Sequence, residues 1–124
     1  TVEVWMRYMK AHDDNDLEAI REANADDFKA WASDGSVIEN TDAQIALLTD
    51  WFATSNPKWI HKYSIANEFT DQEGKLQQWV TTGWELTETV EGKESKRQEI
   101  FDVLIADGKI KTIYIAARPI NESE

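Results

Sequence analysis

The sequence predicts an α+β fold in which helices come first and an antiparallel sheet follows. Before Pro57, apolar residues recur at the spacing of amphipathic helices. From residue 58 onward they alternate with a period of two, and short glycine-containing turns separate the strand-like segments. Consecutive strands joined by short turns are typical of an antiparallel meander. With 124 residues, the chain has the size of one domain.

Two helices are predicted near the N-terminus. Residues 2–12 carry Trp5 and Tyr8 on one face, as in an amphipathic helix. Either Asn15 or Asp16 provides the side-chain cap of a short second helix, because both residue types accept hydrogen bonds from the free N–H groups of a first turn.

A hairpin and a third helix are predicted next. Asp34 and Gly35 form a turn signal between two short apolar runs. Thr41 is the predicted N-cap of the third helix, and Gln44 completes a capping box with it. Pro57 ends this helix because proline has no N–H group for the helical ladder.

The remaining chain is predicted to form four strands. In the third of them, Asp102 stands among apolar neighbours, and a buried charge is costly unless it is paired or neutralised. Alternation places Asp102 on one face with Ile100 and Leu104, and Glu99 and Phe101 on the other. Both faces contain apolar residues, so we expect the helices to cover one face and a second subunit the other, giving a homodimer through the sheet. The predicted strands are residues 58–69, 76–90, 96–106 and 109–118.

Composition excludes several classes of function. A formal net charge of -11 argues against nucleic acid or an anionic membrane surface as partner, because both require a basic patch. The chain has no cysteine, and its two histidines lie far apart, so we expect no metal site and no cofactor. No apolar run approaches the roughly 18 residues of a membrane span. We expect a soluble protein, either cytoplasmic or exported after loss of an upstream segment, since the chain begins with Thr1.

Three stretches of sequence carry a resemblance to a known superfamily. They are "MRYMKAHDDNDLEAI", "ADDF" and "FDVLIADGKI", and they resemble the opening helix, the segment before the first strand and the late strand of ketosteroid isomerases. Over residues 2–118 the chain resembles the nuclear transport factor 2-like superfamily, which also includes SnoaL-like polyketide cyclases and limonene epoxide hydrolases. The resemblance implies one ketosteroid isomerase-like domain over 1–124, with a cone-shaped, curved antiparallel sheet packed on the N-terminal helices around an apolar cavity.

The resemblance also implies roles for particular residues. In the isomerases, a tyrosine and a protonated carboxylic acid stabilise an oxyanion while a carboxylate moves a proton. Tyr8 and Asp102 fall on the first two positions, and an apolar pocket would keep the acid protonated. Ala32 falls on the position of the base, unless the hairpin is shifted so that Glu39 takes it. In the epoxide hydrolase pattern, the late-strand acid falls at Ile115.

Each candidate also has a purely structural interpretation. Asp102 could pair with Lys111 or Arg118, which would hold it ionised. Tyr8 could be a core aromatic residue. His61 suits a general base near neutral pH, although an isolated histidine on a strand is more often structural.

Further candidates are weaker. Asp34 and Glu39 could replace the missing base, but the turn and the surface also explain them. His12 is expected to interact with the C-terminal end of its helix. Trp79 and Trp84 are expected on opposite faces unless Gly83 marks a bulge. The residues expected to line the ligand pocket are Trp5, Trp31, Trp59, Ile113 and Ile115.

Three functional hypotheses follow. The first is an isomerase-, cyclase- or lyase-type enzyme that binds a small apolar or aromatic carbonyl compound, with Tyr8 and Asp102 polarising its oxygen and His61 or Glu39 as base. The second is a ligand-binding dimer that lacks the base. In the third, the protein's own aromatic residues fill the cavity and the domain serves protein interaction.

Overall fold

A curved six-stranded sheet packs against three helices, which confirms the predicted α+β fold. The structure is a computed structural model and describes residues 1–120. Its helices are α1 (Val2–Asp13), α2 (Leu17–Ala23) and α3 (Thr41–Ser55). Its strands are β1 (Asn24–Trp31), β2 (Val37–Ile38), β3 (Lys58–Thr70), β4 (Leu76–Val90), β5 (Lys93–Ala106) and β6 (Lys109–Pro119).

The sheet is mixed, and the prediction of a purely antiparallel sheet is wrong in this respect. The strand order is β2-β1-β6-β5-β4-β3, and β1 runs parallel to β6. The four C-terminal strands form the predicted meander, but its last strand would leave an unpaired edge. Strand β1 covers that edge and extends the inner face of the sheet with Phe28 and Ala30, which are both buried.

The caps of α2 and α3 explain where these helices begin. Asp16 Oδ1 accepts a hydrogen bond from the Ala19 N–H at 3.1 Å. Helix α3 is capped by Asn40, whose Oδ1 accepts from the Ala43 N–H at 2.8 Å, so the predicted Thr41 capping box is wrong. The side chain of Gln44 is thereby free to turn into the core, where it is buried.

The two faces of β5 differ in burial. Glu99, Phe101 and Val103 point inward and are almost fully covered, whereas Ile100 and Asp102 on the other face are half-buried. The inner face packs against the helices. The outer face is the side of the sheet away from the helices.

A bulge in β3 changes which of its residues face inward. His61 pairs with Trp84, whereas Tyr63 pairs with Gly83, so one extra residue lies between the two pairs. As a result, His61 lies on the inner face and Tyr63 on the outer face. Strand β4 itself is regular, and the predicted placement of Trp84 and Trp79 on opposite faces is confirmed.

Within residues 1–120, none of the three helices combines the length and the apolar composition that crossing a bilayer requires.

Candidate active site

A cavity of about 420 Å³ lies between the inner face of the sheet and the helices. This volume falls in the range of small-molecule sites. Four of the five predicted pocket residues border it: Trp5, Trp59, Ile113 and Ile115. Most of the wall is apolar, and the polar side chains that interrupt it include Tyr8, His12, Gln44, Glu88, Arg97 and Glu99.

Glu99 is the most deeply buried of the carboxyl groups that line this cavity. It is only 4% exposed, because alternation along β5 turns it toward the core beside Phe101. The indole N–H of Trp59 donates a hydrogen bond to Glu99 Oε1 at 2.8 Å. A hydrogen bond from β3, reaching past β4, thus holds the carboxyl group in position.

Arg97 links Glu99 to a second carboxylate. Its Nη1 lies 2.9 Å from Glu88 Oε1, and its Nε lies 3.5 Å from Glu99 Oε2. Trp51 on α3 donates its indole N–H to Glu88 Oε2 at 2.8 Å. The buried Nε of Arg97 has no hydrogen-bond partner within residues 1–120, so the contact with Glu99 is an ion pair and not a hydrogen bond.

The environment of Glu99 disfavours its charged form compared with an exposed glutamate. Burial raises the pKa of this carboxyl, and the Trp59 indole and the positive charge of Arg97 oppose that effect. A carboxyl with a raised pKa near a cation can act as a proton donor in one step and as a carboxylate in the next.

Tyr8 borders the cavity, but its hydroxyl is already engaged. It donates to Asn24 Oδ1 at 2.8 Å and accepts a hydrogen bond from the side-chain amide of Gln44. Burial raises the pKa of the Tyr8 hydroxyl well above its ordinary value, and these two hydrogen bonds offset the effect only in part. Its proton is therefore committed to Asn24, so Tyr8 would have to exchange this partner before it could bind a substrate oxygen.

His12 is the third titratable side chain that is deeply buried at the cavity, after Glu99 and Tyr8. Its Nδ1 lies 2.8 Å from the carbonyl oxygen of Tyr8, one turn earlier on α1. Burial lowers the pKa of His12 to about 4, and the hydrogen bond with that carbonyl opposes this effect. The imidazole is therefore uncharged at neutral pH.

Asp102 does not face the cavity, and the expected arrangement with Tyr8 is not formed. It lies on the outer face of β5, where its Oδ1 accepts a hydrogen bond from the Thr81 hydroxyl at 3.0 Å. The alternative ion pairs are not formed either, since Lys111 lies 3.5 Å from Asp27, and Arg118 donates to Gln98. Asp102 points outward because, in the register that β5 adopts, its odd-numbered residues face the core and its even-numbered residues face away.

The other predicted polar candidates also lie away from the cavity. His61 is exposed, and its Nε2 lies 2.6 Å from the Ser64 hydroxyl. Glu39 forms a surface ion pair with Lys29 at 3.3 Å. Asp34 accepts hydrogen bonds from the N–H and hydroxyl of Ser36 in the turn, and these bonds lower its pKa.

Two positions implied by the resemblance border the cavity without contributing acid or base chemistry. Ala32 stands where the isomerases have a base, and Ile115 where the epoxide hydrolases have an acid. Trp31, by contrast, is on the outer face, where its ring stacks on Tyr114 with centroids 4.9 Å apart. Its placement is again a matter of alternation, since Ala30 before it points inward.

Sequence reasoning missed the polar group that the structure brings together at the cavity. Alternation predicts Glu99, and with it Arg97 two residues earlier, on the face opposite Asp102, and this prediction is correct. Had that face been recognised as the inner one, their alternation with Phe101 would have marked them as buried charged residues. His12 gave no such signal, because its burial depends on Phe52 and Trp59 from later elements.

Within residues 1–120, no group of three or more metal-ligating side chains is close enough together to hold an ion.

Comparison with solved structures places the fold among nuclear transport factor 2-like proteins. A Mycobacterium tuberculosis protein named as an LEH-like epoxide hydrolase is 14% identical with a TM-score of 0.78, over 94% of this chain and 80% of that one. A Jannaschia sp. CCS1 protein named as a SnoaL-like polyketide cyclase is 16% identical with a TM-score of 0.72, over 94% and 83%. An NTF2-like protein of unknown function from Burkholderia pseudomallei is 13% identical with a TM-score of 0.78, over 94% and 89%.

These similarities confirm the predicted NTF2-like fold. Because the sequence identities are so low, they show the fold and not the activity. No protein-family model matches the chain, and a comparison with curated proteins finds no match.

Proposed function

We propose that this protein is an acid–base enzyme for a small, mostly apolar compound that carries a carbonyl or epoxide oxygen. One observation carries the proposal: Glu99 is buried at the wall of the cavity, held by Trp59 and paired with Arg97. A buried carboxyl in an otherwise apolar cavity is a frequent feature of proton-transfer sites.

In this proposal Glu99 is the general acid. Its protonated carboxyl gives a proton to the substrate oxygen as negative charge develops there, and Arg97 stabilises the carboxylate that remains. Glu88, on the other side of the same guanidinium, accepts a proton from a substrate carbon or from an attacking water. Exchange with solvent then returns a proton to Glu99 and removes one from Glu88.

Proton transfer within a carbonyl compound is the first form of the reaction, and it corresponds to isomerase-, cyclase- or lyase-type chemistry. The second form is the opening of an epoxide by water. Two carboxyl groups that share one guanidinium favour the second form, because the reaction needs an acid at the epoxide oxygen and a base at the water. The likeness to an epoxide hydrolase-like protein agrees with this choice but supplies only the fold.

The test compares Glu99→Gln with Asp102→Asn, which removes a charge from the outer face of the same strand. Deuterium incorporation next to the carbonyl of cyclic ketones, and diol formation from cyclic epoxides, are followed by NMR. We expect wild type and Asp102→Asn to accelerate one of these reactions equally, and Glu99→Gln to be slower by about 100-fold or more. Equal rates for Glu99→Gln and wild type would contradict the proposal.

A non-catalytic ligand-binding protein is the second candidate. The observation that favours it is Ala32, an apolar side chain at the position that resemblance assigns to the base. Binding of the ketones or epoxides without any acceleration by wild type would support this candidate against the first.

We also propose that a second copy of the chain covers the outer face of the sheet. Tyr63, Ile65 and Tyr114 are between 37% and 57% exposed there, and a continuous apolar surface of this kind is usually covered. Trp79 and Trp31 extend the surface by flanking Tyr114, with the Trp79 and Tyr114 ring centroids 6.2 Å apart. A second copy suits this face better than a charged partner, because the two central rows of the face contain Asp102 as their one charged residue.

A further inference from the structure

The hydrogen bond of His12 determines which of its ring nitrogens carries the proton. The carbonyl oxygen of Tyr8 can only accept, so the Nδ1 that lies 2.8 Å from it carries the hydrogen. In a neutral imidazole the other nitrogen, Nε2, then has a free lone pair. His12 is one of the residues that line the cavity, so its wall includes a side chain with this free lone pair.

The aromatic residues around His12 leave this acceptor without a donor. The rings of Tyr8, Phe52 and Trp59 have centroids 4.8, 6.2 and 5.7 Å from the imidazole. The Tyr8 hydroxyl donates to Asn24, and the Trp59 indole donates to Glu99. In the part of the chain from 1 to 120, no side chain or backbone N–H donates to Nε2.

A ligand that fills the cavity removes water from an acceptor in its wall, which costs free energy unless the ligand supplies a hydrogen-bond donor. We infer that His12 determines the specificity of the cavity, with Nε2 accepting a hydrogen bond from a hydroxyl or N–H group on the ligand. The inference rests on the proposed function in one respect, namely that the cavity takes a small ligand.

The inferred ligand class is an aromatic or alicyclic compound with one hydroxyl group in addition to the carbonyl or epoxide oxygen of the proposed function. Its ring system would lie among the apolar side chains of the wall, and its hydroxyl would reach Nε2 of His12. His12 is a binding residue in this inference, and Glu99 remains the group that moves the proton. The two roles can therefore be tested separately.

The test measures binding of two probes that differ by one hydrogen-bond donor, 2-naphthol and 2-methoxynaphthalene, by NMR titration. We expect wild type to prefer the naphthol by about fivefold, which corresponds to one neutral hydrogen bond. His12→Phe keeps the aromatic packing and should bind both probes with equal affinity. His61→Phe, which changes the chain's other histidine on the exposed part of β3, should keep the wild-type preference.

A second measurement does not depend on how well His12→Phe folds. In wild type labelled with ¹⁵N at histidine, we expect 2-naphthol to shift the Nε2 signal of His12, and 2-methoxynaphthalene to leave it unchanged. An unshifted Nε2 signal with bound naphthol, or no binding of naphthol to wild type, would overturn the inference. Glu99→Gln separates it from the proposed function, since this variant should lose turnover and retain the preference for naphthol.

Discussion

At the scale of the residue, the difference between Glu99 and Asp102 decides where the chemistry lies. The two carboxyl groups are three positions apart on β5, so they point to opposite faces of the sheet. Glu99 meets Trp59 and Arg97 inside the protein, whereas Asp102 accepts a hydrogen bond from the Thr81 hydroxyl at a half-buried site. Residue type is nearly the same at both positions, and environment alone makes one of them a candidate acid.

The buried His12 should make stability depend on pH. Its pKa is about 4 in the folded protein against 6.5 for the unperturbed group, so between these values only the unfolded chain binds the proton. His12 therefore contributes its full share of stability above pH 6.5, and this share is lost as the pH falls toward 4. The loss amounts to roughly 3 kcal/mol for a difference of this size.

Urea unfolding of wild type and His12→Phe at a series of pH values checks this prediction. As the pH falls from 6.5 to 4, the free energy of unfolding of wild type should decrease relative to that of His12→Phe. Comparing the two cancels the contribution of the carboxylates that both share. A difference that stays constant over this range would show that His12 is not held neutral by the fold.

At the scale of the element, one hydrogen-bonded group joins α1, β1 and α3. The Tyr8 hydroxyl, the Asn24 amide and the Gln44 amide bond to one another in a ring of contacts, and all three side chains are buried. Asn24 also donates to the Thr41 hydroxyl at 3.1 Å. Because these residues come from three separate elements, the group fixes how the helices lie on the sheet and so shapes the cavity.

Removing the Tyr8 hydroxyl should cost stability because it leaves buried amide groups unpaired. We expect Tyr8→Phe to lower the free energy of unfolding by about 1–3 kcal/mol. Urea unfolding gives the measurement, and Tyr63→Phe is the control, since it removes the hydroxyl of a tyrosine that is 37% exposed on β3. If the two changes lower the free energy of unfolding equally, the hydrogen bonds of the Tyr8 hydroxyl with Asn24 and Gln44 do not stabilise the fold.

At the scale of the whole molecule, the sheet has one face against the helices and one outer face on which large apolar side chains such as Tyr63, Ile65 and Tyr114 are exposed. The outer residues of the four meander strands lie in cross-strand register, so that Ile65, Thr81, Asp102 and Tyr114 form one row. Tyr63, Gly83, Ile100 and Ala116 form the next. Asp102 is the one charged residue in these two rows.

If a second copy covers this face, a charge introduced there should dissociate the dimer. We expect wild type to be dimeric by size-exclusion chromatography with light scattering, and Ile65→Glu to be monomeric and folded. Leu76→Glu is the matched control, because Leu76 is also exposed, at 62%, but stands at the far end of β4. A monomeric wild type, or loss of the dimer in both variants, would argue against this face as the interface.

Much of the fold could be predicted from sequence because periodicity and turn residues are local signals. The strands predicted at 76–90 and 109–118 differ from β4 and β6 by at most one residue, since glycine-containing turns mark their ends. The parallel pairing of β1 with β6 could not be predicted in this way. It joins segments about 80 residues apart, and no local pattern records which edge a short strand will cover.

The sequence by itself determined the α+β class, the order of the elements and the division of β5 into two sets of alternating residues. Only the tertiary structure decided which set lies inward, because alternation is symmetric and both sets contain apolar residues. Packing of α1 and α3 on the odd-numbered set of β5 turned Glu99 and Arg97 toward the cavity and left Asp102 outside. Burial by residues distant in sequence also made His12 a neutral acceptor, because the cost of removing a charge from water depends on what surrounds it.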